Sequence, residues 1–222
     1  MTKHLQRDIE TLKNKIIAMG GEVEDRLYQA TLSVINWDEG MAQSVINGDS
    51  EIDRMEVEIE EDCLKVLALF QPVAVDLRFL VAVLKINNDL ERIGDLAVNI
   101  AERAVYLATH DRIELPFDIS RMATKVESMV SRSIDAMVNF DVKMAYKIRA
   151  EDEEVDEYNR MMYATVKEMI PKNLDNVSSI LHAMSIGRHL ERIADHATNI
   201  AEDIIYLVDA TIVRHWPEVY EE

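Results

Sequence analysis

Residues 90–102 read LERIGDLAVNIAE and residues 190–202 read LERIADHATNIAE, so 10 of 13 positions agree at an offset of 100. No other feature restricts the fold as strongly, because a segment recurring in tandem specifies one structural unit used twice. Ile86 with Ile186, Tyr106 with Tyr206 and Leu107 with Leu207 extend the agreement. Upstream, Trp37-Asp38-x-x-Met41-Ala42 is matched by Phe140-Asp141-x-x-Met144-Ala145. Asp49-x-Glu51-Ile52-Asp53 is matched in turn by Asp152-x-Glu154-Val155-Asp156, and both of these pairs stand at an offset of 103. The chain divides into repeats at 1–112 and 113–222, the second three residues shorter in the stretch between these motifs.

The unit is helical. Ile86, Leu90, Ile93, Ala97, Ile100, Ala104 and Leu107 follow one another by alternating steps of four and three, which is a sustained seam on one helix face and incompatible with the period of two of a strand. The breakers cut the chain into six long segments. Asn36-Trp37-Asp38 ends the first, with Asp38 as N-cap of the next, and Gln71-Pro72 ends the second, with Pro72 suited to a helix's first turn. His110 to Asp118, containing Pro116, closes the third; Phe140-Asp141 repeats Trp37-Asp38, and Pro171 repeats Pro72. Helices of roughly 25 to 35 residues, about 40 to 50 Å long, joined by short turns pack antiparallel. The expected fold is all-α: two tandem, pseudo-symmetric three-helix bundles.

A net charge of −18, from 42 acidic against 24 basic side chains, opposes unassisted binding to nucleic acid or to an anionic membrane surface. A single cysteine, Cys63, excludes an internal disulfide framework and any multi-cysteine zinc site. Its neighbours Glu61 and Asp62 are expected to raise its pKa, leaving an inert buried thiol. The longest apolar runs, such as 79–84, fall far short of the roughly 20 residues a bilayer requires, and the first 15 residues lack a secretory apolar core. A cytosolic protein is expected. No Gly-rich phosphate loop, GxSxG elbow or HExxH pair is present, and no His has Glu three residues before it, which removes the di-iron bundle enzymes.

The repeated segment carries more acid than a core requires. With Leu90, Ile93, Ala97 and Ile100 on the seam, Glu91, Asp95 and Glu102 fall on the outer side, among Val81, Leu84, Val98 and Val105. Glu91 with Asp95, and Glu191 with Asp195, are spaced i, i+4, which places each pair on one face a turn apart. Such pairs salt-bridge to Arg92 or Arg192, keep a helix soluble, or bind divalent or ferric cations when a neighbouring helix brings further carboxylates. His189 and His196 flank the second pair and read as helix-surface or interface residues; His4, His110, His182 and His215 have no partner pattern. Asp49-x-Glu51-x-Asp53 lacks the Gly and closing Glu of a calcium loop and reads as a helix start. Trp37 is expected to pack between helices and the methionines to fill core gaps.

The run Gln71-Pro72-Val73-Ala74-x-Asp76-Leu77-Arg78, then Leu84-Lys85-Ile86, Asp89-Leu90-Glu91-Arg92-Ile93-Gly94-Asp95 and Asn99-Ile100-Ala101-Glu102, resembles the PhoU family, regulators of bacterial phosphate-specific transport. The resemblance covers essentially the whole chain. The family's marker, Glu/Asp-x-x-x-Asp in each repeat, stands here as Glu91 to Asp95 and Glu191 to Asp195. Some members hold metal ions there, including multinuclear iron clusters, and others are metal-free, so the resemblance implies iron, manganese, magnesium or zinc at Glu91, Asp95, Glu191 and Asp195, or no metal. Before the second marker Asp76, Arg78, Asn88 and Asp89 become Asn176, Ser178, Arg188 and His189. The resemblance further implies a non-enzymatic negative regulator of the phosphate-starvation response and of phosphate uptake. Its implied partners are the ATPase subunit of the phosphate ABC transporter, a sensor histidine kinase and a second copy of itself, with only indirect membrane attachment. The alternative is a metal-binding or metal-buffering helical protein.

Overall fold

Both repeats begin with a helix that stops at an aromatic residue. In the computed structural model, which describes residues 3–213, α1 (Lys3–Asn36) ends where Trp37 turns left-handed at φ 57°, and α5 (Ile119–Asn139) ends at Phe140 with φ 52°. A left-handed residue without glycine's freedom costs of order 1 kcal/mol, offset here by hydrogen bonds that close the helix end. Asp38 N–H donates to Ser33 O and Asp141 N–H to Ala136 O, each at 2.9 Å. The same aspartates then cap the following helices, Asp38 Oδ1 accepting from Met41 N–H at 2.9 Å and Asp141 Oδ1 from Met144 N–H at 3.0 Å. The matched dipeptides are thus one helix-turn-helix device used twice.

The remaining helices are α2 (Glu39–Asn47), α3 (Ser50–Phe70), α4 (Ala74–Ala108), α6 (Val142–Met169) and α7 (Val177–Asp209). No strand occurs among the described residues. Two details depart from the expected six segments. The second segment is interrupted between α2 and α3, because Arg26 of α1 reaches into it: its Nη1 donates to Val45 O at 3.3 Å. A Cβ on Gly48 would fall on this guanidinium, so glycine is what leaves it room. In the second repeat Glu151 stands at that place, bound to Lys125 and Arg132, and α6 runs unbroken. Pro171 also differs from Pro72. Pro72 lies two residues before α4, whereas Pro171 sits in a 3₁₀ turn, Ile170–Lys172, followed by a second, Leu174–Asn176, before α7 starts.

All seven seam residues from Ile86 to Leu107 are buried, and so are Ile186, Leu190, Ile193, Ala197, Ile200 and Leu207 on α7. Within the first repeat α4 packs on α1, α2 and α3; within the second, α7 packs on α5 and α6. The most extensive packing, however, joins the repeats through α4 and α7, with α1 against α5 beside it, so one apolar core runs through both halves. Polar contacts cross the same seam: Lys85 with Asp203, His196 Nδ1 with Asp89 Oδ1 at 2.8 Å, and Tyr106 O–H donating to Ser178 Oγ at 2.8 Å. Trp37 packs against the core as expected, with the Arg112 guanidinium 5.5 Å from its ring centre.

Leu90→Ala and Leu190→Ala, at two fully buried seam positions, are each expected to lower stability by about 2–5 kcal/mol in urea titrations. Asp38→Ala and Asp141→Ala are each expected to cost about 1 kcal/mol through loss of the N-cap.

Candidate functional site

Glycine at position 94 lets α3 come close to α4. A Cβ there would meet Ile52 Cδ1 at 3.0 Å and Ile52 Cγ2 at 3.3 Å. The close approach sets the start of α3 beside the middle of α4, and Asp95 then stands next to Asp49 and Asp53. One carboxylate oxygen from each of Asp49, Asp53 and Asp95 lies within 4.8 Å of the others, the one such group of three His, Cys, Asp or Glu side chains among the described residues. The repeat counterparts of Gly94 and Ile52 are Ala194 and Val155, one carbon added on one helix and one removed from the other.

Concentrating carboxylates costs electrostatic energy, which appears as raised proton affinity. Asp49 is shifted up by burial and then by Asp53 and Asp95. Glu91 is shifted up by burial and then by Asp95. Its Oε2 is buried and takes no hydrogen bond, although Arg92 Nε is 3.4 Å away. Arg92 also pairs with Asp95 at 2.9 Å, the salt bridge that the i, i+3 spacing allows. An all-oxygen cluster with excess negative charge suits a hard cation such as magnesium, manganese or ferric iron.

The second repeat carries the heavier burden. Asp152 is pushed up to about 6 by burial, then Asp195 and Asp156; Asp195 is pushed up to about 6 by burial, then Glu191 and Asp156. Glu191 is raised by burial, then Asp156 and Asp152. Asp152 and Asp195 open on a groove of about 790 Å³ together with Asp89 and Lys85 of α4, so the second cluster also meets the other repeat. These side chains interact but do not close to the 4.8 Å of the first trio.

Of the sequence candidates, Asp95 enters the closed trio, while Glu91 stands one turn away, half-buried. Glu191 and Asp195 sit among Asp152 and Asp156. Of the stripe expected to face outward, Glu102 is exposed, but Glu91 and Asp95 are half-buried. α3 packs on α4 and α6 on α7, with Leu84, Val98 and Val105 part of the core's edge. Asp49 and Asp53 read as a helix start, and Asp49 does precede α3, whereas Asp152 and Asp156, matched only as their repeat counterparts, lie within α6. Their recurrence at an offset of 103, facing a motif that recurs at 100, was the signal for a second role. His196 is an interface residue through Asp89, and Cys63 is buried with its thiol pushed up to about 12, by burial first and then Asp62 and Glu60. His215 lies outside the described residues.

The raised carboxylates give a signed pH dependence. Between about pH 4 and pH 6 the folded state binds more protons than the unfolded chain, so Asp152 and Asp195 make stability fall as pH rises through that window. Glu151, held down to about 2 by Arg132 and Lys125, acts oppositely and at lower pH. In chelator-treated protein, Asp152→Asn is expected to raise Tm at pH 7 and to flatten the decline between pH 4 and 6; an unchanged Tm profile by calorimetry would contradict this.

The PhoU domain model matches residues 16–104 and again 119–204. The chain is 37% identical to the phosphate-specific transport system accessory protein PhoU homolog of Pseudomonas aeruginosa, over 97% of this chain and 91% of that protein. It is also 37% identical to the homolog of the same name from Aquifex aeolicus, over 95% and 96%. The crystal structure of PhoU from Pseudomonas aeruginosa superposes with a TM-score of 0.89 at 35% identity, covering 93% of this chain and 99% of that one. That of the phosphate transport system regulatory protein PhoU from Streptococcus pneumoniae gives 0.84 at 29% identity, covering 94% and 99%. None of these names describes an enzyme. With both repeats matched by the family model and relatives aligned along nearly its full length, the chain belongs to the PhoU family.

Proposed function

We propose that this protein is a cytosolic regulator of phosphate homeostasis, built from repeats 1–112 and 113–222. It couples the phosphate ABC transporter to a sensor histidine kinase, so that uptake is restrained and the phosphate-starvation response is kept off when phosphate is plentiful. The observation that carries this reading is the full-length agreement with relatives named as phosphate-specific transport accessory proteins. Physical support comes from the helix faces. No helix among the described residues is long and apolar enough to cross a membrane, so attachment would run through the transporter's ATPase subunit. Leu69, Val73 and Val75, 65%, 74% and 60% exposed around the turn between α3 and α4, offer apolar contact area for such a partner or for a homodimer. The charge of −18 disfavours a nucleic-acid route to the same regulation.

In this reading metal ions serve the regulator at Glu91 and Asp95, joined by Asp49 and Asp53, and at Glu191 and Asp195, joined by Asp152 and Asp156. Bound cations would cancel repulsion that now raises the carboxylates' proton affinities, and so stiffen the contacts of α3 with α4 and of α6 with α7. Oxygen-only ligands favour magnesium, manganese or iron over zinc. The closed trio of Asp49, Asp53 and Asp95 also supports a second reading, metal binding or buffering as the primary role.

Deletion of the gene separates the two. Constitutive starvation-response expression at high phosphate is expected for the regulator; unchanged phosphate signalling with altered metal tolerance would favour buffering. Pull-down against the transporter ATPase and the kinase at high and low phosphate tests the partners. Metal quantification after exposure to iron, manganese, magnesium and zinc should show a loss when Glu91, Asp95, Glu191 and Asp195 are replaced together, and equal content would remove them from the site.

A further inference from the structure

One groove of about 530 Å³ is lined by five residues of α1 and by five of α5 that are their repeat counterparts at an offset of 103. The two helices pass in opposite directions, Gly20 lying against Ile134 and Thr31 Oγ1 donating to Glu127 Oε1 at 2.6 Å. Leu27 and Val130, both fully buried, form the floor. The rest of the lining stands at i, i+3, i+4 and i+7, from Gly21 to Tyr28 on α1 and from Thr124 to Ser131 on α5. Each stripe therefore spans two turns, about 10 Å.

The charge of the groove is one-sided. Glu24, Asp25 and Glu127 line it, and no lysine or arginine does. Cations beside it in the sequence are engaged elsewhere, Arg26 with Glu22, and Lys125 and Arg132 with Glu151. Glu24 is shifted up by burial first, with the Ser131 hydroxyl opposing and Asp135 adding. Bare backbone is the other peculiarity of this surface. A Cβ on Gly20 would meet Ile134 Cδ1 at 3.0 Å, which gives that glycine a role within the chain, whereas a Cβ on Gly21 would meet nothing within 4 Å. Glycine in a helix interior costs stability against almost any other residue, so position 21 exposes backbone at the groove where packing within the chain does not require it. Tyr28, 53% exposed two turns on, places an aromatic ring at the rim.

We propose that the groove between α1 and α5 docks a basic helix of another protein, one that sets lysine or arginine side chains between Glu24 and Glu127 and a small residue against Gly21. A furrow between two antiparallel helices is the shape that a third helix fills by setting its ridges between theirs, and bare backbone lets the axes come close. The aromatic rim supplies an anchor, and carboxylates without cations select the charge of the partner. A second copy of this chain is opposed here, because symmetric stacking would bring one set of three carboxylates onto another.

A labelled helical peptide of about 15 residues, alanine with lysines along one face, should be titrated into the protein by fluorescence anisotropy at about 0.15 M ionic strength. Saturable binding is expected, and a peptide of the same composition with its lysines on all faces should bind roughly tenfold more weakly. Glu24→Gln with Glu127→Gln should weaken the one-faced peptide roughly tenfold or more. Glu61→Gln with Glu168→Gln removes the same charge from exposed positions on α3 and α6 and should leave its affinity within about twofold. Gly21→Leu keeps every charge and should also weaken it roughly tenfold or more, with Tm unchanged or raised because leucine is the better helix former. Absence of saturable binding, equal affinity for the two peptides, or unaltered affinity in Gly21→Leu would each overturn the proposal. So would binding of spermidine without binding of the peptide, or a dimer that Gly21→Leu dissociates in sedimentation, which would assign the face to a second copy. Every readout uses purified full-length protein, so the outcomes are independent of the phosphate-regulator reading.

Discussion

Antiparallel packing of α4 on α7 is the contact on which the remainder of the molecule depends. Alanines 82, 97, 101 and 104 on one helix and 183, 194, 197 and 201 on the other are buried, and small side chains let long helices approach along much of their length. Each helix is at once the third member of its own bundle and the partner of its counterpart. Removing one therefore strips the core of both halves, and neither repeat closes its apolar face without the other.

That architecture sets the electrostatics. Packing α3 on α4, and α6 on α7, carries carboxylates of separate sequence motifs into partly desolvated clusters, where burial is the largest reason for their raised proton affinity and mutual repulsion the next. Here they recur at the same turn in both halves, so the same repulsion is built into the fold twice.

Duplication also shows which features are tied to the fold and which are free to diverge. The aromatic left-handed turn and its aspartate cap are kept in both halves, closing one helix end and capping the next. Ile52 with Gly94 has Val155 with Ala194 as its counterpart, which keeps the summed side-chain size while shifting one carbon between helices. Arg26 with Gly48 breaks one helix where Glu151, bound to Lys125 and Arg132, keeps the other whole. At the ends of the shared seam, the Lys85 and Asp203 pair has Ser185 and Arg103 as its counterparts, so the ion pair is kept at one end only.

Periodicity, breakers and the internal repeat were sufficient to read an all-α duplication, its turns at Trp37, Phe140 and Gln71, and the seam, because these are local properties of the chain that hydrophobic burial then enforces. The i, i+4 carboxylates were legible for the same reason. Which acids join them was not: Asp49 and Asp53 lie more than forty residues before Asp95, and only the close passage of α3 over Gly94 makes them neighbours. Likewise, no local pattern announces that Arg26 reaches the carbonyl of Val45 at the break between α2 and α3. The sequence by itself determined the helices and their number of repeats, through short-range spacing; the tertiary structure alone decided which charges share a site, because that depends on side chains brought together by packing from distant parts of the chain.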